Sequence, residues 1–278
     1  FEKETNRTNY KKNVYFLENK TNIIHYDDSK YFFEFDKERG LSLISFGLIK
    51  NKMHLSYLRK YNQGYFYNDK LSVDFYCSNN LAENSNVKIA DLVEKNNIKI
   101  IKKNNFIIFN NKFYRKNIID IQKKWYFDTH KKILYLHNKI KTSDINFLTI
   151  RSNYFNINHD IFNFNKLKVS TKNGGLEREV FALKGNINFF HDEAISPKFT
   201  AKNCFGNTDG YINFSDNKNQ VSFKVYNEVG ISAPMLCFSK DRNNSSFFRL
   251  LTSLKENNDV ESSSINRTFE NLISIKIK

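Results

Sequence analysis

The strongest constraint on this chain is an alternation of apolar and polar residues with a period of two. Apolar side chains occupy every second position in several segments, among them YFFEFD (31–36), KILYLHNKI (132–140), VSFKVYNEV (221–229) and NLISIKIK (271–278). This period is typical of β-strands that bury one face. Few segments show a helical period, and the chain contains only two prolines, Pro197 and Pro234, so its strands are rarely interrupted.

Turn residues separate these segments. KERG ends at Gly40, Asn pairs stand at 96–97, 104–105 and 110–111, and NGG ends at Gly175. Asn and Gly tolerate the left-handed backbone that tight turns require, so each predicts a connection between strands. FIIF (106–109) is apolar on both faces, which favours stacked sheets. The sequence therefore predicts an all-β fold, a large two-sheet antiparallel β-sandwich that forms a single domain over residues 1–278.

The composition is basic, with a net charge of +15 from 44 Lys+Arg and 29 Asp+Glu. The basic residues are scattered, and the densest run, KNNIKIIKKNN (95–105), is interleaved with Asn and Ile. Scattered charge does not follow a phosphate backbone, so we expect no nucleic-acid partner. The sequence has no glycine-rich phosphate loop, no GxSxG or HExxH motif and no zinc-ligand spacing, so no cofactor or metal is expected.

Three cysteines, Cys77, Cys204 and Cys237, leave one unpaired in a monomer. We interpret them as small buried residues, which favours a reducing, cytoplasmic compartment. No apolar run approaches the roughly 18 residues that span a bilayer, and no signal peptide is recognisable. The first residue is Phe1 rather than Met, from which we expect an upstream domain in the parent protein.

The segment RSNYFNINHD (151–160) is the first candidate binding site. A strand leads directly into polar, aromatic and imidazole side chains, and sheet proteins place binding groups at strand ends. Arg151, Tyr154 and His159 are the candidate carbohydrate ligands. The alternative is a loop whose aromatic residues only anchor it to the core.

The second candidate is KVSTKNGGLEREVFAL (168–183). Asn-Gly between alternating segments predicts a hairpin. Glu177 and Glu179 would then share a face beside the turn, where they could bind sugar hydroxyls or simply form a solvated hairpin end. His191 lies in the following loop and joins the candidates. Trp125, the only tryptophan, is interpreted as a core residue.

Several stretches resemble galactose mutarotase-like β-supersandwich domains. FEFDKERGLSLISF (33–46) is similar to their opening strands, and KKWYFDTHKKILYLHNKI (123–140) to a pair of strands midway. The second half resembles the C-terminal β-domains of glycoside hydrolase family 57 and family 38 enzymes, in the stretches LTIRSNYFNIN (148–158), STKNGGLEREVFAL (170–183), NCFGNTDGYINFSD (203–216), NQVSFKVYNEVGISAPMLCFS (219–239) and FFRLLTSLKEN (247–257).

This resemblance implies a carbohydrate-associated domain without catalytic residues of its own. In those hydrolases the catalytic carboxylates lie on an N-terminal barrel, and the β-domain packs against it. An oligo- or polysaccharide and an upstream catalytic domain of the same chain are then the expected partners.

Two alternatives stay open. Mutarotase-type epimerases carry an Asn-His-x-Tyr-Phe-Asn motif, which this chain matches only at Tyr154-Phe155-Asn156. A stand-alone epimerase would need an acid and a base, for which His159 and Glu179 are the candidates. The other alternative is a basic module that binds acidic polymers, with an affinity that falls with salt.

Overall fold

The computed structural model describes residues 16–19, 22–28, 30–48, 79–83, 88–91, 98–115, 118–143, 149–158, 166, 168–173, 176–182, 204–206, 209–226, 233–240, 246–256 and 268–278. These residues form antiparallel strands, with a short 3₁₀ helix at Lys37–Arg39. The all-β prediction is confirmed. No helix within these ranges is long and apolar enough to cross a bilayer.

The strands form three sheets. The smallest has the order β1 (Phe16–Asn19), β2 (Ile23–Asp27), β3 (Tyr31–Asp36), β4 (Ser42–Leu48). A six-stranded sheet has the order β14 (Cys204–Gly206), β17 (Ala233–Lys240), β18 (Ser246–Glu256), β11 (Thr149–Asn158), β5 (Leu81–Glu83), β6 (Lys88–Ala90). A nine-stranded sheet has the order β13 (Leu176–Ala182), β12 (Lys168–Asn173), β15 (Tyr211–Ser215), β16 (Gln220–Tyr226), β19 (Thr268–Ile277), β10 (Ile133–Thr142), β9 (Ile119–Asp128), β8 (Phe106–Arg115), β7 (Lys99–Lys103).

The nine-stranded sheet is one layer of the sandwich, and the two smaller sheets cover its inner face. One apolar cluster joins its inner side chains to the four-stranded sheet and to Phe155 and Leu250 of the six-stranded sheet. A second cluster lies towards the other end of the strands, where Ile121 and Ile140 pack with Ile150 of the six-stranded sheet. The burial pattern of β9 and β10 alternates as the period of two predicts, except at the end of β9, where Phe127 and Asp128 are both buried.

Trp125 connects all three sheets. It lies on β9 and is fully buried, as the sequence indicated. Its ring centroid is 5.0 Å from that of Phe35 on β3 and 6.1 Å from that of Phe155 on β11. Its indole N–H donates a 3.0 Å hydrogen bond to the carbonyl of Leu41, which satisfies the polar atom of this large buried side chain.

The predicted turns are correct in part. Asn104 has φ 51° between β7 and β8, as an Asn-Asn turn requires. Strands β12 and β13 pair up to Asn173 opposite Leu176, which confirms the hairpin at the paired glycines; the glycines themselves and the 96–97 pair lie outside the described residues. The turn expected at 110–111 is wrong, because β8 continues through it and stays paired with β9. Unbroken pairing outweighs the turn preference of Asn here.

Two details of side-chain placement also differ from the alternation. Phe106 is 37% exposed while Ile107 and Phe109 are buried, so FIIF is covered on one face rather than two. In β4 the pairing with β3 shifts between Glu34 and Phe35, and Leu43 and Phe46, three positions apart, are both buried. A bulge inserts one residue and shifts the face that later residues occupy.

A buried carboxylate ties the β2–β3 turn to the β9–β10 turn. Asp28 accepts hydrogen bonds from the backbone N–H groups of Lys30 and Tyr31 at 2.7 and 2.6 Å and from the Tyr26 hydroxyl at 3.0 Å. The Lys132 ammonium lies 2.5 Å from its Oδ2. Burial raises the pKa of Asp28, but the Lys132 hydrogen bond and the two backbone donors outweigh burial, so the pKa lies below its usual value.

We expect Asp28→Asn to lower the free energy of unfolding at neutral pH by about 1.5–3 kcal/mol, the contribution typical of hydrogen bonds to a charged group. A carboxyl whose pKa is depressed by folding stabilises the protein above its unfolded-state pKa, about 3.9, and the stabilisation is lost as pH falls through the lower folded-state pKa. Urea denaturation over a pH series should therefore show the two proteins converging in acid. Asp36→Asn, at an exposed helix cap, is the control, and a pH-independent difference for Asp28→Asn would contradict this account.

Candidate functional site

The sequence-predicted site residues lie on two different sheets. Arg151 is half-buried on β11 of the six-stranded sheet, opposite Leu81 and Ser253. Tyr154 belongs to the same strand, but its side chain lies outside the described part of the structure.

Glu177 and Glu179 lie on β13, at the edge of the nine-stranded sheet, opposite Lys172 and Ser170. Their side chains, and the whole of His159 and His191, are outside the described residues. The described residues thus establish no contact between the two candidate segments, and both remain predictions.

A row of polar side chains crosses the interior of the sandwich. Lys123 on β9, Asn138 on β10 and Asn271 on β19 are directly opposed on the inner face of the nine-stranded sheet. The row separates the two apolar clusters, since the flanking inner positions of these strands are apolar. All three side chains are almost completely buried. Buried polar groups require partners, which the six-stranded side of the sandwich supplies.

We call this row, together with its partners from the six-stranded side of the sandwich, the buried polar layer. The ion pair between Lys123 and Asp91 lies at one end of it. The Lys123 ammonium is 3.0 Å from Asp91 Oδ2 and donates to Asn79 Oδ1 at 3.0 Å. Asp91 Oδ1 accepts from the backbone N–H groups of Asn79 and Asn80 at 3.0 and 3.1 Å. Side-chain exposures of 2% and 3% place both charges out of contact with water, so each depends on the other and on these hydrogen bonds.

Amide side chains extend the layer to the opposite end. The Asn80 amide donates to Asn138 Oδ1 at 2.8 Å, and the Asn138 amide donates to Asn153 Oδ1 at 2.8 Å. Asn153 donates in turn to the Thr252 hydroxyl at 3.0 Å. The chain of bonds runs from one layer of the sandwich to the other and back. The buried polar layer therefore holds the sheets in register.

A bulge in β11 explains why two consecutive residues of RSNYFNINHD enter this layer. The pairing with β18 shifts between Ser152 and Phe155, and Asn153 has φ 54°. Asn is among the few residues that adopt this left-handed conformation readily. As a result Ser152 and Asn153 are both fully buried, and Ser152 accepts from the Asn271 amide at 2.6 Å. Ser152 and Asn153, which lie between the predicted ligands Arg151 and Tyr154, thus connect this segment to the buried polar layer.

The sequence contains a signal for this layer that catalytic and binding motifs do not include. Lys123, Asn138 and Asn271 each occupy the inward position of an otherwise apolar alternation. A polar residue at such a position either disrupts a core or finds a buried partner. The sequence gives no such indication for Asp91 or the Asn79–Asn80 pair, because these residues do not lie in a segment of alternating apolar and polar residues.

Among the side chains that the structure describes, four tyrosines lie on the outer face of the nine-stranded sheet, and we call them the tyrosine face: Tyr126, Tyr135, Tyr211 and Tyr226. Tyr135 lies directly opposite Tyr126 on one side and Ser274 on the other. Tyr211 lies three strands from Tyr135 in the same cross-strand row, which strand spacing places about 14–15 Å away. Tyr226 is 47% exposed and the other three are half-buried.

Hydrogen-bonding groups lie among these rings. His137 Nε2 is 2.7 Å from Glu270 Oε1, and the Lys139 ammonium is 3.4 Å from Glu270 Oε2. The hydrogen bond from His137 is the main cause of a lowered Glu270 pKa, so this carboxylate stays ionised. Burial, and secondarily the charge of Glu270, raises the pKa of Tyr126. Burial likewise raises the pKa of Tyr135, whose hydroxyl therefore stays protonated as a donor.

No group of three or more His, Cys, Asp or Glu within the described ranges is arranged to hold a metal ion. The described side chains of the tyrosine face offer ring stacking, hydroxyl donation, lysine ammonium groups and acceptance by the ionised Glu270 carboxylate. These groups suit a ligand with an apolar face and many hydroxyls.

No protein-family model matches the sequence, and none of the curated proteins matches it. Solved structures do match the fold. A galactose mutarotase-like protein from Clostridium acetobutylicum is 8% identical, with a TM-score of 0.52, over 97% of this chain and 99% of that chain. A TPR-domain containing protein from Parabacteroides distasonis is 6% identical, with a TM-score of 0.55, over 92% of this chain and 46% of that chain.

The galactosidase domain of an alpha-galactosidase-sucrose kinase is 11% identical, with a TM-score of 0.52, over 95% of this chain and 42% of that chain. This chain thus spans nearly the whole of the mutarotase-like protein and less than half of the other two. The fold is an antiparallel β-supersandwich of the galactose mutarotase-like type, a fold that carbohydrate-related proteins use.

Proposed function

We propose that this chain is a non-catalytic carbohydrate-binding domain, the C-terminal region of a polysaccharide-acting enzyme. Residues 1–278 form one domain in this proposal, and an upstream domain of the same chain carries the catalytic carboxylates. The resemblance to β-domains of glycoside hydrolase families 57 and 38 belongs to the same proposal. The galactosidase domain supports it, since the shared fold covers under half of that chain.

The tyrosine face is the observation that carries the proposal. The rings lie on one broad sheet surface: Tyr126, Tyr135 and Tyr211 belong to one row that crosses the strands, and Tyr226 belongs to the next outward row. Aromatic rings that combine an apolar body with a polar tip favour ligands of mixed character. A sugar ring has such character, because its C–H face can stack on tyrosine while its hydroxyls bond to groups such as Glu270.

The buried polar layer supports a non-catalytic role for the interior. Within the described ranges its members are at most 3% exposed, so a glycan does not reach them. Their hydrogen bonds are made largely to each other, which leaves the outer face as the surface for a ligand.

We expect Tyr226→Ala to weaken glycan binding about tenfold, because exposed aromatic anchors dominate binding energy and tenfold corresponds to about 1.4 kcal/mol. Binding of the full chain to a glycan array identifies the ligand, and calorimetry then compares the variants. Phe32→Ala is the control, since Phe32 is also an outward aromatic residue, half-buried on the outer face of the four-stranded sheet. Equal losses in the two variants, or no glycan binding by the parent, would refute the proposal.

The epimerase alternative makes a different prediction. It requires His159 and Glu179 to meet at one sugar, and the described residues offer no contact between their segments. Polarimetry on common aldoses tests it directly: accelerated anomer interconversion that is lost in Glu179→Gln would replace the binding proposal by catalysis.

A further inference from the structure

We propose that the ligand of the tyrosine face is an anionic polysaccharide, a chain that carries carboxylate or sulfate groups. This inference rests on the proposed function and specifies its ligand class. It is motivated by the lysines that lie among the tyrosines on the same face, which we call the lysine set: Lys124, Lys172, Lys224 and Lys276.

The lysine set is interleaved with the aromatic row. Lys224 lies between Tyr211 and Ser274 in the cross-strand register. The Lys172 ammonium is 4.9 Å from the centroid of the Tyr211 ring. A chain that stacks on these rings would therefore pass within reach of ammonium groups, because neighbouring strands are only about 4.8 Å apart.

The remaining two lysines flank the other rings. Lys276 lies opposite Ser222 and Ile133 on the outer face. Lys124 lies opposite His137, one outward position along the strand from Tyr126. The positive charge thus extends across the strands that bear the tyrosines rather than clustering at one edge.

Three carboxylates whose side chains the structure describes on this face, those of Glu270, Asp120 and Asp128, are engaged by neighbouring groups. Glu270 contacts His137 and Lys139, and Asp120 is 3.3 Å from the Lys112 ammonium. Asp128 is buried and accepts hydrogen bonds from two backbone N–H groups of the β9–β10 turn.

Lys224, in contrast, donates to the backbone carbonyl of Asp209 at 2.5 Å, a partner without formal charge. The described part of the face therefore carries more positive than negative charge, in keeping with the net charge of +15 of the whole chain. A surface with this balance attracts anions and binds them less tightly as salt rises.

Single-stranded nucleic acid is the competing anion, since it also stacks on aromatic rings and contacts lysines. The position of Glu270 favours a glycan. Its ionised carboxylate can accept the hydroxyl donors present along every polysaccharide, whereas a DNA backbone offers it no hydroxyl.

The test measures binding of the full chain by calorimetry to four probes: polygalacturonate, chondroitin sulfate, neutral dextran and an oligo-dT strand. We expect at least one of the two acidic glycans to bind more tightly than dextran and oligo-dT, with an affinity that falls severalfold when salt is raised. Lys172→Met/Lys224→Met should lower this affinity about fivefold at low salt, since solvent-exposed ion pairs each contribute modestly. Lys224→Arg should retain binding because it keeps the charge.

Lys30→Met is the matched control, since it removes an exposed lysine from the four-stranded side of the sandwich. Circular dichroism confirms that each variant is folded. Salt-independent binding of dextran would overturn the anionic ligand while leaving the proposed carbohydrate function standing. Tighter binding of oligo-dT than of every glycan, or no glycan binding at all, would overturn both.

Discussion

Replacing Lys123 by methionine is expected to lower the free energy of unfolding by about 3–5 kcal/mol, the cost of removing one partner from a buried ion pair. The Asp91 carboxylate would remain in the interior, 3% exposed, without the counter-charge that Lys123 supplies. Asn79 would also lose the donor to its Oδ1. Because a domain is stabilised by only about 5–15 kcal/mol in total, this single change should shift a urea transition strongly.

Two further variants make the test specific to the ion pair. Lys123→Met/Asp91→Asn removes both charges and should recover a large part of the loss, since an uncharged pair needs no counter-ion. Lys124→Met changes the next residue of the same strand, on the outer face, and should cost less than about 0.5 kcal/mol. A loss below about 1 kcal/mol in Lys123→Met would show that the ion pair does not stabilise the fold.

Trp125→Ala is the second large effect, with an expected loss of about 3–5 kcal/mol. The indole fills the space between Phe35 and Phe155, so its removal leaves a cavity where the three sheets meet. It also leaves the Leu41 carbonyl without its donor. The cost is large because a cavity bordered by three sheets cannot collapse by a local movement of one of them.

Trp125→Phe separates the two contributions. It keeps an aromatic ring in place but removes the indole N–H, so we expect a loss of about 1–3 kcal/mol from the unsatisfied carbonyl. Urea denaturation followed by circular dichroism is suitable, since both variants lack the only tryptophan of the chain. Equal losses for the two variants would show that the hydrogen bond, rather than ring packing, determines the effect.

Local alternation predicted the strands well because successive residues of a strand point to opposite faces of the sheet, one buried and one exposed to solvent. Tyr31, Phe33 and Phe35 are buried as their spacing indicated, and so are the alternate residues of β16. Turn chemistry predicted the Asn104 connection and the β12–β13 hairpin. It failed at 110–111, where pairing with the neighbouring strand β9 keeps β8 extended. The turn propensity of the Asn pair contains no information about that neighbouring strand.

Strand pairing also produces contacts that sequence distance conceals. Cys204 and Cys237 were interpreted separately, yet β14 and β17 place them directly opposite each other. Opposed residues in an antiparallel pair have Cα atoms about 4.5–5.5 Å apart. This proximity arises from the order of strands in the sheet, which cannot be predicted from the number of residues between the two cysteines.

The candidate binding surface was missed for the same reason. The tyrosine face collects residues from β9, β10, β15 and β16, and each tyrosine alone is an ordinary outward residue of its strand. The sequence-derived candidates Glu177, Glu179, His159 and His191 came from local motifs, which identify residues close in sequence. A surface assembled across strands needs the order and register of the sheet.

By itself, the sequence determined that this chain folds as antiparallel β-structure with one face of each strand buried, because that outcome depends on the polarity of neighbouring residues. The tertiary structure decided how the strands are ordered and which outward side chains meet. It also decided that Lys123, Asn138 and Asn271 find partners on the opposing layer. These outcomes depend on contacts between residues that are 15 to 119 positions apart in the sequence, where hydrogen-bond geometry rather than local periodicity sets the free energy.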